Sequence, residues 1–173
     1  MRPIVAYLAA TIDGYIAGPH DDVDWLPELD GDATGFHDFF RHVGAVAMGR
    51  RTYEWISEHG DWPYGDAPAY VLSRTLPEGQ AEHATITPGP VSDLGTVLRD
   101  GSGTAWLVGG GQVFASFAAA ELIDLWIITV VPVMLGAGVP LFPSGADAYT
   151  RLELTETRTL PSDCVQLHYR PRR

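Results

Sequence analysis

The sequence is short of cysteine, of basic side chains and of long apolar runs, and each shortage excludes a class of protein. Its single cysteine, Cys164, cannot form an internal disulfide or a cysteine-rich zinc site. Eleven basic side chains stand against 22 acidic ones, and the net charge of −11 argues against a general nucleic-acid or anionic-membrane binder. The longest apolar run, residues 125–135, is too short to cross a bilayer. We therefore expect a cytoplasmic protein.

The remaining composition is that of an ordinary globular chain, with 46% apolar and 19% charged residues. A length of 173 residues predicts one domain, spanning residues 1–173, with a core large enough for a ligand cleft. The six histidines show no His-Glu-x-x-His spacing, and no Gly-x-Ser-x-Gly segment is present. We therefore expect neither a metal site nor a serine nucleophile.

Short apolar runs alternate with segments of helical spacing. Buried strands are predicted at residues 4–10, 45–48, 69–72, 84–86, 104–108 and 123–131. Helices are predicted at residues 34–43, with Thr34 as the cap, and at 52–58, 91–98 and 113–118. Alternating polar and apolar residues at 152–157 and 165–169 predict an antiparallel pair. This order is typical of an α/β protein: a three-layer α/β/α sandwich with a mostly parallel central sheet and antiparallel C-terminal strands.

Ligands of such sheets bind at the carboxyl ends of the strands, so the residues after each strand are candidates for the site. Gly49 follows the second strand, and Arg50, Arg51 and Thr52 open the next helix. The glycine permits a tight turn, the helix start offers free N–H groups, and arginine donors fit phosphate oxygens. An anion site and a solvated turn with two surface arginines explain this segment equally well.

The segment Gly109-Gly110-Gly111-Gln112-Val113 joins another strand to a helix. Three glycines let a diphosphate approach the backbone, although the spacing is neither Gly-x-Gly-x-x-Gly nor a Walker loop. The alternative is a helix-entry turn, which needs fewer glycines, so we favour the phosphate. At a third strand end, Leu72 is followed by Ser73 and Arg74, a weaker signal for an additional phosphate.

Two more segments flank the expected site. Asp13 and Gly14 follow the first strand, and they form either a simple turn or a carboxylate that faces the cleft. The glycine-rich stretch of residues 135–142 follows what is predicted to be the longest strand. Its composition is typical of a mobile loop or of a cover for a ligand.

Five segments, in this order, resemble the dihydrofolate reductase-like superfamily, and in particular the C-terminal reductase domain of the bifunctional riboflavin-biosynthesis deaminase-reductase. They are Thr11-Ile12-Asp13-Gly14-Tyr15-Ile16-Ala17, Met48-Gly49-Arg50-Arg51-Thr52-Tyr53-Glu54, Val71-Leu72-Ser73-Arg74, Val108-Gly109-Gly110-Gly111-Gln112-Val113 and residues 131–142. The riboflavin branch is favoured over dihydrofolate reductase itself by three features. These are the Asp-Gly motif, the Leu-Gly-x-Gly and Leu-Phe pieces of the last segment, and the length. The similarity covers nearly the whole chain.

The resemblance implies NADPH as the cofactor. In that family, two segments hold the adenosine 2′-phosphate and the diphosphate. One matches Gly49 to Thr52, and the other matches Leu72, Ser73 and Arg74. The segment matching Gly109 to Val113 holds the diphosphate. The strand-end segment that contains Ala9, Ile16 and Ala17 lies beside the nicotinamide.

The resemblance also implies acidic groups on the substrate side. The residue matching Asp13 lies near the substrate in the pyrimidine reductase branch. Asp30 stands at the offset from Trp25 at which dihydrofolate reductase carries its acid, whereas a count back from Gly49 lands near Asp32. The zinc motif of the deaminase half is missing, so only the reductase reaction is expected.

These observations predict an NADPH-dependent reductase of a small heterocyclic substrate, of the 5-amino-6-(5-phosphoribosylamino)uracil reductase type or an orphan relative. The alternatives are dihydrofolate reductase activity, a module that binds NADPH without turnover, and a purely structural domain. Residues 126–131 are apolar on both faces and members of the family often dimerise, so we expect a homodimer. Nucleic-acid and membrane partners are not expected.

Overall fold

A computed structural model describes residues 1–27, 34–143 and 150–172 of the chain. The strands are β1 Ile4–Thr11, β2 Tyr15–Ala17, β3 Val43–Gly49, β4 Ala69–Leu72, β5 Gly79–Ala81, β6 Ala84–Thr87, β7 Thr104–Gly109, β8 Leu125–Val131, β9 Val139–Pro140, β10 Leu152–Thr159 and β11 Val165–Pro171. The helices are α1 Phe36–Phe40, α2 Arg50–Glu58, α3 Val91–Arg99 and α4 Gly111–Ala119.

Nine of the strands form one sheet, in the order β10-β11-β8-β1-β7-β3-β4-β6-β5. The six strands from β8 to β6 in this order pair in parallel. Antiparallel pairs add β11 and β10 at one edge and β5 at the other. The remaining two strands, β2 and β9, form a separate antiparallel ribbon. The predicted fold class, mostly parallel with antiparallel C-terminal strands, is confirmed.

Apolar side chains cover the central strands on both faces, which explains the continuous apolar runs in the sequence. On one face, Leu107 packs with Leu98 of α3 and Phe114 of α4. On the other face, Trp106 packs with Phe36 of α1, at a ring-centroid distance of 5.5 Å, and with Val46. Successive residues of β7 therefore belong to opposite layers, as the two-residue period of a strand requires.

Most predicted elements agree with the structure to within two residues, and two predictions need correction. The first helix ends at Phe40 rather than at residue 43, because β3 already begins at Val43. Its cap position is Gly35 rather than Thr34, although the Thr34 hydroxyl accepts the N–H of Phe36 at 3.2 Å. The strands β2, β5 and β9, each of two or three residues, were not predicted.

The second correction concerns β8, which begins at Leu125 rather than Ile123 and has seven residues against eight in β1. Asp124 lies before the strand, where its carboxylate accepts the N–H of Ile4 at 2.9 Å and pairs with Arg99 at 2.8 Å. β8 lies between β1 and β11. Both hydrogen-bonding edges of β8 are therefore paired, and burial of Trp126 on one face of the sheet and of Ile127 on the other explains why the strand is apolar on both faces.

In the described part of the chain, every helix is too short or too polar to span a membrane.

Candidate functional site

Three of the predicted phosphate segments meet at the carboxyl edge of the sheet. Gly49 at the end of β3 is paired with Leu72 of β4, and Met48 is paired with Gly109 of β7. The residues that follow these three strands are therefore neighbours in space, although they are separated by dozens of positions in the sequence. Parallel pairing of β4, β3 and β7 is what brings them together.

Two helices begin at this edge. Helix α2 starts directly after Gly49, and α4 starts directly after Gly110. A glycine has no side chain with which to cap the first N–H groups of a helix, so these donors stay available to an anion. The positive ends of both helix dipoles add to the same attraction.

The backbone at Gly110 borders an open space. A methyl group on Gly110 would lie 3.6 Å from Cδ1 of Ile16 and 3.8 Å from Oγ1 of Thr52, which is ordinary van der Waals contact. Three residues predicted to bind the cofactor thus surround one space. Val113, a fourth, is only 4% exposed and touches the position where Gly49 would carry a side chain. Its place is in the packing of α4 on β3.

A cavity of about 260 Å³ adjoins the start of α4. Its lining residues come from α2, from α4, from the segment after β2 and from β9 with the residues around it: Pro19, Arg51, Gly111, Gln112, Gly138, Val139, Pro140 and Pro143. The ribbon of β2 and β9 is extended by the N–H of Leu141, which donates to the carbonyl of Gly14, the residue before β2, at 2.8 Å, and β9 contributes Val139 and Pro140 to the lining. The stretch predicted as a cover, residues 135–142, therefore borders this cavity.

The three arginines at this edge differ in their partners. Arg50 donates to both carboxylate oxygens of Glu54, one turn further along α2, at 2.8 and 2.9 Å. Arg51 donates to both carboxylate oxygens of Asp21 at 2.6 Å. Arg74 is exposed and has no ion pair within the described residues. A phosphate group at this edge would therefore meet one arginine without an ion pair and two that would have to exchange a carboxylate.

Ser73 is buried, and its hydroxyl is used within the chain. The oxygen accepts the N–H groups of Thr75 at 3.2 Å and of Leu76 at 3.0 Å. The turn that carries Arg74 is thereby fixed in place. The geometry favours a positioning role for Ser73 rather than direct contact of its hydroxyl with a ligand.

Asp13 lies on the surface at the end of β1, with its carboxylate held by three donors. The Thr11 hydroxyl donates to it at 2.6 Å, and the N–H groups of Leu135 and Gly136 donate at 3.0 and 2.8 Å. The hydrogen bond from Thr11, followed by that from Gly136, lowers the pKa of this carboxyl below its ordinary value. The group is therefore ionised at neutral pH and anchors the loop after β8. Asp30, like Asp32, lies outside the described residues.

The substrate side predicted from the resemblance lies around the end of β1. Ala9 packs there with Trp25, Val131 and Val133, beside the buried Cys164. The indole Nε1 of Trp25 is buried and finds no acceptor among the described residues. A buried donor without a partner costs about 1–3 kcal/mol, so an acceptor from a ligand or from water fits here.

The contacts of several of these residues were not predicted from the sequence. Asp21 accepts from Arg51, and the Thr11 hydroxyl donates to Asp13. Trp25 presents the buried donor without an acceptor among the described residues. The aspartates at 21, 22 and 24 look alike in sequence, so the partner of Arg51 was not predictable. A second concavity, of about 640 Å³, lies at the opposite end of the sheet beside Pro3, Leu125 and Pro171. It is remote from the glycine segments.

A family model described as the RibD C-terminal domain matches residues 2–166 of the chain. The uncharacterized protein YwjB of Bacillus subtilis is 36% identical over 171 residues, and the match covers 97% of both chains. The predicted resemblance is thus confirmed by a match over nearly the whole sequence.

Two solved structures extend this result to the fold. A protein of Shewanella sp. PV-4, provisionally described as a riboflavin biosynthesis protein, is 29% identical, with a TM-score of 0.85 over 99% of both chains. Dihydrofolate reductase of Enterococcus faecalis, solved with NADP(H) and RAB-propyl, is 19% identical, with a TM-score of 0.68 over 99% of this chain and 97% of that one. The chain therefore belongs to the RibD C-terminal domain family and has the dihydrofolate reductase-like fold.

Proposed function

We propose that this member of a reductase-domain family is an NADPH-dependent reductase of a small heterocyclic substrate, of the 5-amino-6-(5-phosphoribosylamino)uracil reductase type. The observation that carries the proposal is the meeting of three glycine- and arginine-bearing strand ends beside two helix starts. NADP(H) is present in the structure of the related dihydrofolate reductase from Enterococcus faecalis, which supports the choice of cofactor.

The residues present fit such a dinucleotide. Gly110 leaves its backbone open between Ile16 and Thr52. Gly111 and Gln112, at the start of α4, line the adjoining cavity, where uncapped helix N–H groups are suitable donors for a diphosphate. Arg50, Arg51 and Arg74 are donors for the extra 2′-phosphate, which would otherwise be repelled by a chain of net charge −11. Arg51 also lines the cavity proposed for the diphosphate. When bound, the cofactor supplies a hydride to the substrate.

On the substrate side, the N–H of Trp25 can donate to a carbonyl oxygen or ring nitrogen of a flat heterocycle. Asp13 is suited to hold the loop at residues 135–136 and is a poor proton donor at neutral pH, because its pKa is lowered. The proton that accompanies the hydride then has to come from another acid, for which Asp30 stays a prediction, or from water.

A second candidate, a module that binds NADPH without turnover, is favoured by one observation. The carboxylate that was predicted to act on the substrate, Asp13, is occupied by three internal hydrogen bonds. In this alternative, the cofactor site is the same and only the chemistry is lost.

Calorimetric titration with NADPH tests cofactor binding, which both proposals require. Turnover, followed as the loss of NADPH absorbance with a panel of substrates, separates the reductase from the non-catalytic module. We expect binding, with turnover of the phosphoribosylaminouracil rather than of dihydrofolate. Binding without turnover of any panel member would support the module. Absence of binding would overturn both.

The homodimer is also kept as a proposal, and it now rests on the family resemblance alone. The apolar strand that suggested it, β8, has both edges paired with β1 and β11, and Trp126 and Ile127, on opposite faces, are already buried within the single chain. Light scattering at micromolar concentration is the direct measurement, and a monomer at every concentration would reject the proposal.

A further inference from the structure

The segment after β2 is fastened to the start of α2 by one exposed ion pair. Both oxygens of the Asp21 carboxylate accept from Nη2 of Arg51 at 2.6 Å, although the two residues are 30 positions apart. A tight turn presents the carboxylate, with the N–H of Gly18 donating to Asp22 at 2.8 Å and the N–H of Asp21 donating to Gly18 at 3.1 Å. Asp21 itself has a left-handed backbone, with φ of 62°.

This pair stands at the mouth of the candidate diphosphate cavity. Arg51 lines that cavity together with Gly111 and Gln112 of α4, and Pro19, from the Asp21 turn, lines it as well. The Asp21 carboxylate, with both oxygens at one guanidinium nitrogen of Arg51, occupies a place where phosphate oxygens would accept from the same donor. Asp21 thus makes the contact that an anionic ligand would make.

We propose that Asp21 is an internal competitor of the cofactor phosphates for Arg51, and that ligand binding releases the Asp21 turn from α2. The inference rests on the proposed NADPH site. Both side chains are well exposed, at 64% for Arg51 and 36% for Asp21, and exposed pairs of this kind are weak. A phosphate carries more charge and more acceptor oxygens than a carboxylate, so it displaces Asp21 rather than being excluded by it.

A merely structural ion pair predicts the opposite outcome. If the pair only fastened the turn and shaped the cavity, loss of either partner would weaken ligand binding. Under competition, the two partners have effects of opposite sign. Removal of the carboxylate strengthens binding, and removal of the guanidinium weakens it.

The test compares NADPH titrations of the parent with D21N, R51A and the double variant. Asparagine tolerates the left-handed backbone at this position, so D21N removes the charge without straining the turn. We expect D21N to bind roughly two- to fivefold more tightly, the range of an exposed pair, and R51A to bind about tenfold or more weakly. In the R51A background, D21N should give no gain, because its effect acts through Arg51.

D24N is the matched control. Asp24 is an exposed carboxylate of the same loop, so its substitution removes the same charge at a similar place without touching Arg51. If D21N binds NADPH no more tightly than D24N, the competition is refuted while the proposed function stands. If the parent fails to bind NADPH, the proposed function fails, and titration with pyrophosphate then decides the competition alone. Tighter pyrophosphate binding by D21N than by D24N sustains it, and any other result overturns it.

Discussion

The carboxyl edge formed by β3, β4 and β7 and the polar network between β1, β8 and β11 use their polar groups in opposite ways. In the network, Nε2 of the fully buried Gln166 lies 3.1 Å from the Tyr7 hydroxyl and 3.2 Å from both the Thr34 carbonyl and the Thr129 hydroxyl. Nε2 of His168 donates to Oε1 of Gln166 at 2.9 Å. At the edge, by contrast, glycines leave helix N–H groups uncapped and the arginines are exposed.

The difference separates stability from binding. The network is complete within the chain, and burial lowers the pKa of His168 so that it stays neutral there. Its loss would strand buried donors and acceptors, which destabilises the fold. At the edge, the first N–H groups of α2 and α4 have no side-chain cap. Changes there should therefore alter ligand affinity and leave the free energy of unfolding almost unchanged. Substitutions in the two regions test this division.

The largest effect is expected from Gly110→Val. The valine side chain fills the space between Ile16 and Thr52 that is left for the diphosphate, while the backbone φ of −85° accepts any residue. We expect NADPH affinity to fall by about a hundredfold or more, because at least one charge-assisted contact and the close approach of the diphosphate are lost. The free energy of unfolding in urea should change little.

Gly89→Val is the matched control, because Gly89 also has an ordinary φ and its side chain would meet only Oδ2 of Asp93, at 3.9 Å. Gly110→Ala should fall between the parent and the valine variant. Parent-like NADPH affinity in Gly110→Val would remove the triple-glycine segment from the site.

The counterpart in the network is Gln166→Leu. The substitution removes one buried contact each from the Tyr7 and Thr129 hydroxyls, the Thr34 carbonyl and the His168 N–H. The Tyr7 hydroxyl still donates to the Thr34 carbonyl at 3.0 Å, so the largest losses fall on Thr129 and His168. We expect a loss of about 2–4 kcal/mol in the free energy of unfolding, measured with urea, and little change in NADPH affinity of the folded protein.

Gln80→Leu provides the comparison for that experiment. Gln80 is exposed and donates to the Thr85 hydroxyl at 3.0 Å, so its loss should cost well under about 1 kcal/mol. If both substitutions lowered the free energy of unfolding equally, the buried network would stabilise the fold no more than an exposed hydrogen bond does.

An intermediate effect is expected from the double variant Arg50→Ala/Arg51→Ala. The parent should prefer NADPH over NADH by about ten- to a hundredfold, since one charge-assisted hydrogen bond is worth about 1.5–3 kcal/mol. The double variant should lose most of this preference, and high salt should narrow it in the parent. Arg50 and Arg51 have carboxylate partners, whereas Arg74 has none in the described ranges. The single variant Arg74→Ala is therefore measured alongside, to separate the contribution of Arg74 from that of the other two arginines.

Arg41→Ala controls for the loss of positive charge in this comparison. Arg41 pairs with Asp38 beside α1, before β3 begins, and thus at the opposite end of that strand. Its removal should leave the preference for NADPH intact. A preference that survives in the double variant and disappears in Arg74→Ala would assign the 2′-phosphate to the β4 end alone.

The two regions also differ in how far the sequence predicted them. The edge is encoded locally, because each of its pieces is a short motif directly after a strand, such as Gly49-Arg50 or Gly110-Gly111. Parallel pairing then makes the pieces neighbours. The network joins Tyr7, Thr129 and Gln166, which share no local pattern and meet only through the order β1-β8-β11. Partners such as Asp21 for Arg51 likewise depend on the loop conformation.

The smallest effect is expected at Asp13, which follows β1 and whose carboxylate, like the groups of the network, has its hydrogen-bond partners within the chain. Asparagine keeps one acceptor oxygen, but its amide nitrogen cannot accept from Thr11, Leu135 or Gly136. Asp13→Asn should therefore lower the melting temperature slightly and leave NADPH affinity unchanged.

The pH dependence identifies the cause of that loss. The pKa of Asp13 is lowered on folding from an ordinary value of 3.8, so the native state holds the carboxylate more strongly than the unfolded state does. This stabilisation is present above about pH 4 and disappears as the pH falls through the lowered pKa. The difference in stability between parent and Asp13→Asn should thus be largest at neutral pH and shrink as the pH falls through the lowered pKa. If the variant instead melts like the parent at every pH and loses turnover with NADPH binding intact, then the carboxylate acts on the substrate and not on the loop.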